Sequence, residues 1–100
     1  MRSQLVLATV LTACSLSAIA QATDPNLARN LAATCANCHG TTGRSVTSMP
    51  AIAGQPKELL AKALKDFKEG KRPATVMHQH AKGYTDAQLE MIAAYFAAQK

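Results

Sequence analysis

The amino-acid sequence predicts an all-α fold, with about three main helices in one small domain. In three segments, apolar residues recur every three or four positions, which is the period of an amphipathic helix. Residues that start or end helices flank these segments, and glycine and proline concentrate between them. No segment alternates apolar and polar residues as a half-buried strand does. Helices are therefore expected to form the whole domain.

The first helix is predicted to begin at Asp24-Pro25 and to run into the motif CANCHG. Asp24 is expected to cap the helix, and Pro25 at the first helical position loses no hydrogen bond. Three residues spaced by four positions share one face: Leu27, Leu31 and Cys35. Gly40 is expected to end the helix and to open a loop.

The second helix is predicted to begin at Pro56 and to stop at Gly70. Its buried stripe is expected to comprise Leu59, Leu60, Ala63, Leu64 and Phe67. Two pairs with (i, i+4) spacing are expected on its outer face: Glu58 with Lys62, and Lys65 with Glu69. The basic residues here are Lys62, Lys65, Lys68, Lys71 and Arg72. They form either an ordinary solvated face or a surface that docks acidic redox partners.

The last helix is predicted to start with a capping box. Thr85 and Gln88 have the spacing that this box requires. The apolar residues that then face one side are Leu89, Ile92, Ala93 and Phe96. The segment between the second and last helices, GKRPATVMHQHAKGY, shows no sustained period and is expected to be a loop with at most short helical turns.

Residues 1–22 have the features of a secretory signal. A positively charged start is followed by an apolar run that is too short to span a bilayer comfortably. Small residues then allow cleavage near Ala20 or Ala22. A lipid anchor at Cys14 would require an unusually short signal and is disfavoured. We expect export to the periplasm, no membrane span, and a single mature domain over residues 23–100.

The motif CANCHG places Cys35, Cys38 and His39 on neighbouring positions of a helix. A thioredoxin-like dithiol needs a strand-helix-strand setting that this chain lacks. A zinc site would need His78 and His80 as further ligands, and their one-residue gap suits such a site poorly. Covalent attachment of one haem c explains both thiols and the adjacent histidine. It would also fill the middle of a domain with few large apolar side chains.

The sixth ligand of a haem iron is predicted to be Met77, with His39 as the proximal ligand. Met49 follows the motif too closely for the chain to reach the other face of a haem, and Met91 is expected to fill the core. Met77 comes after a whole helix and a turn-rich loop, which gives the required reach. His78 or His80 in its place would lower the redox potential, and this alternative stays open.

With CANCHG, the TVM loop and a terminal helix ending in AAYF, the chain resembles class I cytochromes c over nearly its whole mature length. The resemblance implies helices wrapped around one covalent haem, held by Cys35, Cys38, His39 and Met77. It also implies that the Pro50 carbonyl accepts a hydrogen bond from His39 Nδ1–H, which would fix the imidazole ring. The alternative is that Pro50 only shapes the loop.

From SMPAIAG to the last helix, the chain is similar to the haem subunits of flavocytochrome c sulfide dehydrogenases. That resemblance implies electron transfer from the FAD of a flavoprotein partner to a small redox-protein acceptor. This chain has no dinucleotide-binding glycine motif, so FAD would lie on the partner only. The alternatives are a diffusible electron carrier and a metal-binding or sensor module built on His78 and His80.

Two remaining features concern charge. The formal net charge is +5, but no aromatic residues are interleaved with the basic ones to stack on bases, so nucleic acid is not an expected partner. Arg44 and Arg72 are candidates for pairing with haem propionates.

Overall fold

The computed structural model describes residues 24–100, which form four α-helices and no strand. The helices are α1 (Leu27–His39), α2 (Lys57–Lys68), α3 (Met77–Lys82) and α4 (Asp86–Ala97). The all-α prediction is confirmed, and α3 is a short helix within the segment expected to form at most short helical turns. Within residues 24–100, no helix has the length and apolar character needed to cross a membrane. The predicted signal and Cys14 lie outside the described residues.

Helix α1 begins later than predicted, because Asp24 and Pro25 form a turn in front of it. The Asp24 carboxylate accepts a hydrogen bond from the N–H of Asn26 at 2.8 Å. The Asp24 carbonyl accepts one from the N–H of Leu27 at 3.0 Å. These bonds hold Asp24 outside the helix, so Asn26 takes the capping position instead. The assignment of Asp24 as the cap is therefore wrong by two residues.

Helix α2 is bounded by Pro56 and Gly70 as predicted, with Pro56 just before the first helical residue. Its predicted ion pairs are wrong. Lys62 pairs with Asp66 rather than with Glu58, and Lys65 pairs with Glu90 of α4 at 3.0 Å. Packing of α2 against α4 brings Glu90 within reach of Lys65, whereas Lys62 takes the acid one turn after it on α2 rather than the one before it.

Helix α4 is the centre of the fold and packs against both α1 and α2, while α3 packs against α2. Its capping box is confirmed: Thr85 Oγ1 accepts from the Gln88 N–H, and the Gln88 side chain accepts from the Thr85 N–H. The buried apolar residues are Ala32, Leu60, Ala61, Ala81, Leu89, Ile92, Ala93 and Phe96. Met91 is 39% exposed, so its prediction as core filler is wrong. The buried stripe of α4 lies on its other side.

The long loop between α1 and α2 is fastened to the end of α4. The carbonyl of Gly43 accepts hydrogen bonds from the N–H groups of Ile52 and Ala53 at 2.8 and 3.1 Å. The N–H of Gly54 donates to the carbonyl of Phe96 at 2.9 Å. This backbone network holds the segment around Pro50 in one place, beside the end of α1.

Candidate functional site

A cleft of about 570 Å³ lies between α1, α2, α3 and α4. All four residues predicted to form the site line it: Cys35, Cys38, His39 and Met77. Ile92, Ala93 and Phe96 of α4, which are buried in the core, also reach the cleft. A mostly apolar cleft of this size with a few polar groups is typical of a cofactor site.

His39 is the last residue of α1, and its ring is held from one side. His39 Nδ1 lies 2.7 Å from the carbonyl oxygen of Pro50. Since a carbonyl can only accept, Nδ1 carries the proton and donates it in this bond. The lone pair of Nε2 is therefore left free to bind a metal. This is the hydrogen bond that the resemblance implied for Pro50.

Cys35 and Cys38 stand one turn apart on α1, and their thiols are free rather than joined in a disulfide. Cys35 is half-buried and Cys38 is exposed. Burial raises the pKa of the Cys35 thiol above 9.0, against smaller opposing effects from hydrogen bonds. A dithiol redox enzyme needs a thiol with a lowered pKa. Cys35 is therefore not an activated thiol of the kind that such an enzyme uses, and both free sulfurs line the cleft.

The histidines of α3 differ in position. His80 lines the cleft, whereas His78 does not. Residues 24–100 contain no group of three or more histidine, cysteine, aspartate or glutamate side chains placed to hold a metal ion.

Two methionines line the cleft, Met49 and Met77. The sequence analysis did not predict Met49 there. Met49 is 46% exposed and precedes Pro50, whose carbonyl is bonded to His39. Met49 therefore lies on the side of the cleft that His39 occupies. Met77, the first residue of α3, is half-buried and reaches the cleft from a different element. Met49 could have been predicted from its position beside Pro50, because Pro50 was itself expected to contact His39.

One cation is fixed at the cleft edge. The guanidinium carbon of Arg72 lies 4.9 Å from the centre of the Phe67 ring, and both residues line the cleft. Such stacking holds the guanidinium in place. Arg44, the other predicted partner of propionates, does not line the cleft.

The residues present fit a flat apolar macrocycle. Leu59 belongs to the stripe of α2 that the sequence predicts to be buried, yet it is 59% exposed. It faces the cleft together with Ala63 and Phe67, whereas Leu60, which also lines the cleft, is buried in the core. One side of α2 therefore packs on α4, and the adjoining side offers apolar area to whatever the cleft holds. The prediction of a single buried stripe is corrected to this extent.

Comparisons with known proteins agree with this geometry. The family model "Cytochrome c" matches residues 27–100. The chain is 50% identical over 66 residues to the cytochrome subunit of sulfide dehydrogenase from Chlorobaculum tepidum, a match that covers 66% of this chain and 60% of that protein. It is 43% identical over 70 residues to cytochrome c4 of Pseudomonas aeruginosa, covering 69% of this chain and 35% of that protein.

A smaller relative is matched over most of its length. Cytochrome c-554(548) of Halomonas halodenitrificans is 34% identical over 71 residues, which cover 67% of this chain and 86% of that protein. With its helical fold, its cleft and its free CxxCH motif, the chain belongs to the cytochrome c family as a class I cytochrome c, an electron-transfer protein whose family carries covalently bound haem c.

Proposed function

We propose that this chain is a periplasmic monohaem subunit of a flavocytochrome c sulfide dehydrogenase. In this role it accepts electrons one at a time from the FAD of a partner flavoprotein and passes them to a small redox-protein acceptor. The observation that carries the proposal is the 50% identity to a cytochrome subunit of sulfide dehydrogenase. The chain reaches the periplasm through its first 22 residues, which act as a cleaved secretory signal.

We assign the haem to four residues of the cleft. The thiols of Cys35 and Cys38 would hold the haem by adding across its two vinyl groups, each sulfur binding one vinyl carbon while the thiol hydrogen goes to the other. Nε2 of His39 and the thioether sulfur of Met77 would bind its iron. Support comes from the shared cleft and from the bond that commits His39 Nδ1 to Pro50. Once bound, haem c supplies a one-electron iron couple.

The surrounding side chains tune this couple. A thioether ligand from Met77 keeps the redox potential high. The apolar walls contributed by α2 and α4 exclude water, which also favours the less charged form of a bound redox centre. Arg72, held over Phe67, is placed to pair with a propionate, and this pairing would fix the orientation of the macrocycle.

A free electron carrier is the second candidate function. Its support is the match to cytochrome c-554(548), of which the aligned residues cover 86%. A subunit and a carrier use the same site, and they differ in how firmly they hold a partner.

Purification from the native periplasm under gentle conditions distinguishes the two functions. If the chain is a dehydrogenase subunit, flavin co-elutes in a fixed ratio to haem, and added sulfide reduces both. Haem that elutes alone, on a particle the size of one chain, contradicts the subunit proposal and supports the carrier.

The thioether assignment has its own test. Replacing both Cys35→Ala and Cys38→Ala is expected to leave no haem attached to the polypeptide after denaturation, whereas the wild-type chain retains it. A Met91→Ala variant is the matched control, because Met91 lies outside the cleft and its loss removes no predicted ligand. Retention of haem by the double cysteine variant would overturn the assignment.

The Met77 assignment predicts a spectral change. Met77→Ala should abolish the long-wavelength ferric absorption of a methionine-ligated haem and lower the redox potential, because the thioether ligand is lost. Met49→Ala, which removes the other methionine of the cleft, should leave that absorption in place. The opposite pattern would move the ligand to Met49.

A further inference from the structure

Helix α3 presents a second possible axial ligand to the cleft. His80 follows Met77 by three residues on α3, and residues with this spacing are neighbours on one helix face. Both line the cleft, while His78 between them does not. The two side chains that face the cleft from α3 are therefore a thioether and an imidazole, and both can bind iron.

The imidazole of His80 is not committed elsewhere. His39 is the one histidine within residues 24–100 whose ring forms a hydrogen bond. Both ring nitrogens of His80 are thus free of protein partners in the described part of the chain, and the side chain is exposed. Imidazole nitrogen is a good ligand for iron.

Other Lewis bases in the cleft are less suitable. Lys62 lines the cleft, but its ammonium group is paired with Asp66, and binding to iron would require both the loss of that pair and the loss of a proton. Met49 lies next to Pro50, on the side that His39 occupies. His80 therefore remains as the strong ligand that arrives from the same element as Met77.

The chain before α3 can accommodate an exchange of the two ligands. Residues 71–76 are all exposed, and Gly70 in front of them has a positive φ of 74°. For His80 to reach the position that Met77 occupies, α3 must shift by three residues. This is a movement of about 4.5 Å along the helix axis. Lys71 and Arg72 are held to α2 by hydrogen bonds to the Asp66 carbonyl, so the exposed residues 73–76 would absorb the shift while α3 slides along α2.

We propose that His80 is a reserve axial ligand, which binds the haem iron when Met77 leaves it. The inference rests on the proposed function, because it takes the haem and the Met77 ligand as given. It adds a second ligation state with a nitrogen donor and a lower redox potential than the methionine-bound state.

The test compares ferric spectra and electron paramagnetic resonance of Met77→Leu, which preserves side-chain volume, with those of Met77→Leu combined with His80→Ala. The single variant is expected to be low-spin with two nitrogen ligands, and the double variant to be high-spin. The matched control combines Met77→Leu with His78→Ala and should remain low-spin. A single variant that is already high-spin, or a double variant that stays low-spin, overturns the inference.

Competition with an added ligand gives a second readout. An internal imidazole at millimolar effective concentration competes with external imidazole, so Met77→Leu/His80→Ala should bind the latter about tenfold more tightly than Met77→Leu does. Equal affinities contradict a role for His80. A wild-type protein without covalent haem or without methionine ligation would overturn the proposed ligand set as well. If the wild-type protein has covalent haem and methionine ligation but Met77→Leu is high-spin, only the inference of a reserve ligand is overturned.

Discussion

Gly43 is the residue on which the loop that carries Pro50 depends. It is buried and has a φ of 79°, which side chains rarely tolerate. A Cβ at this position would lie 2.8 Å from Phe96 Cδ1 and 2.9 Å from the backbone nitrogen of Ala53. Its carbonyl also accepts the two hydrogen bonds that fold the loop back on itself. The turn at Gly43 therefore fixes the position of Pro50, whose carbonyl holds the His39 ring.

Gly43→Ala is therefore expected to destabilise the holoprotein by about 2–5 kcal/mol, from backbone strain combined with overpacking. Gly70→Ala is the matched control, because Gly70 also has a positive φ, 74°, but nothing lies within 4 Å of an added Cβ. This control should cost only about 1–2 kcal/mol of strain. Urea unfolding of both variants measures the difference. Equal losses would show that the close contacts of Gly43 carry no energy.

At the scale of elements, α2 and α4 are joined by ion pairs as well as by apolar packing. Glu90 accepts from Lys65 at 3.0 Å and lies 3.6 Å from Lys57, while Asp86 binds Lys68 at 2.9 Å. Lys68 also donates to the carbonyl of Tyr84. The lysines of α2 are thus largely engaged within the domain, which favours a structural role for them over docking.

These ion pairs make the free energy of unfolding depend on pH. Lys65 holds the pKa of Glu90 below its ordinary value of 4.5, chiefly through its hydrogen bond, and Lys68 holds the pKa of Asp86 below 3.8 in the same way. A carboxylate with a lowered pKa in the folded state stabilises that state above the unfolded pKa. This contribution is lost as pH falls through the lowered value.

Glu90→Gln should accordingly lose less stability than wild type when the pH is lowered from about 6 to about 3. The size of the effect is small, because the pairs are exposed. Glu58→Gln on α2 is the matched control, since Glu58 forms no ion pair within residues 24–100, and it should follow the wild-type pH dependence. Unfolding in urea at the two pH values measures this. A Glu90 variant as sensitive to acid as wild type would contradict the assignment.

The sequence predicted the helix ends well where they depend on residues that are close together in the chain. The capping box at Thr85 and the stop at Gly70 depend on residues close in sequence, and both are present. The partner of Lys65 was mispredicted because packing of α2 on α4 brings Glu90 within its reach, whereas Lys62 pairs with Asp66, the acid one turn after it on α2, instead of Glu58, one turn before it. Ion pairs between helices are not encoded in the spacing along one of them.

For the whole molecule, the arrangement of helices explains both the cleft and the limits of sequence reasoning. Helix α4 packs on α1 and α2, and α3 packs on α2, so that α1 meets the α2–α3 pair mainly across the cleft. The motif predicted which α1 residues would face it. Met49 lines the cleft and Arg44 does not, because of the way in which the loop of residues 40–55 folds back. No periodicity in the sequence predicts that path.

One side-chain bridge links α1 to the opposite part of the fold. The Tyr84 hydroxyl donates to the Leu31 carbonyl at 3.1 Å and lies 2.6 Å from Thr34 Oγ1. Tyr84 precedes α4, and its own carbonyl accepts from Lys68 of α2. Apart from this bridge, the His39–Pro50 hydrogen bond and the packing on α4, the position of α1 depends on what fills the cleft.

A chain that cannot attach haem is thus expected to lose most of its tertiary structure. The Cys35→Ala/Cys38→Ala protein, purified without haem, should show weaker helical circular dichroism and a broad, weakly cooperative unfolding transition. The reason is that few large side chains form the core, and apolar faces of α2 and α4 would be left exposed to water. Wild-type holoprotein under the same conditions is the reference. If the haem-free variant unfolds in a single sharp transition with a midpoint near that of the holoprotein, the packing of α4 alone suffices to hold α1 in place.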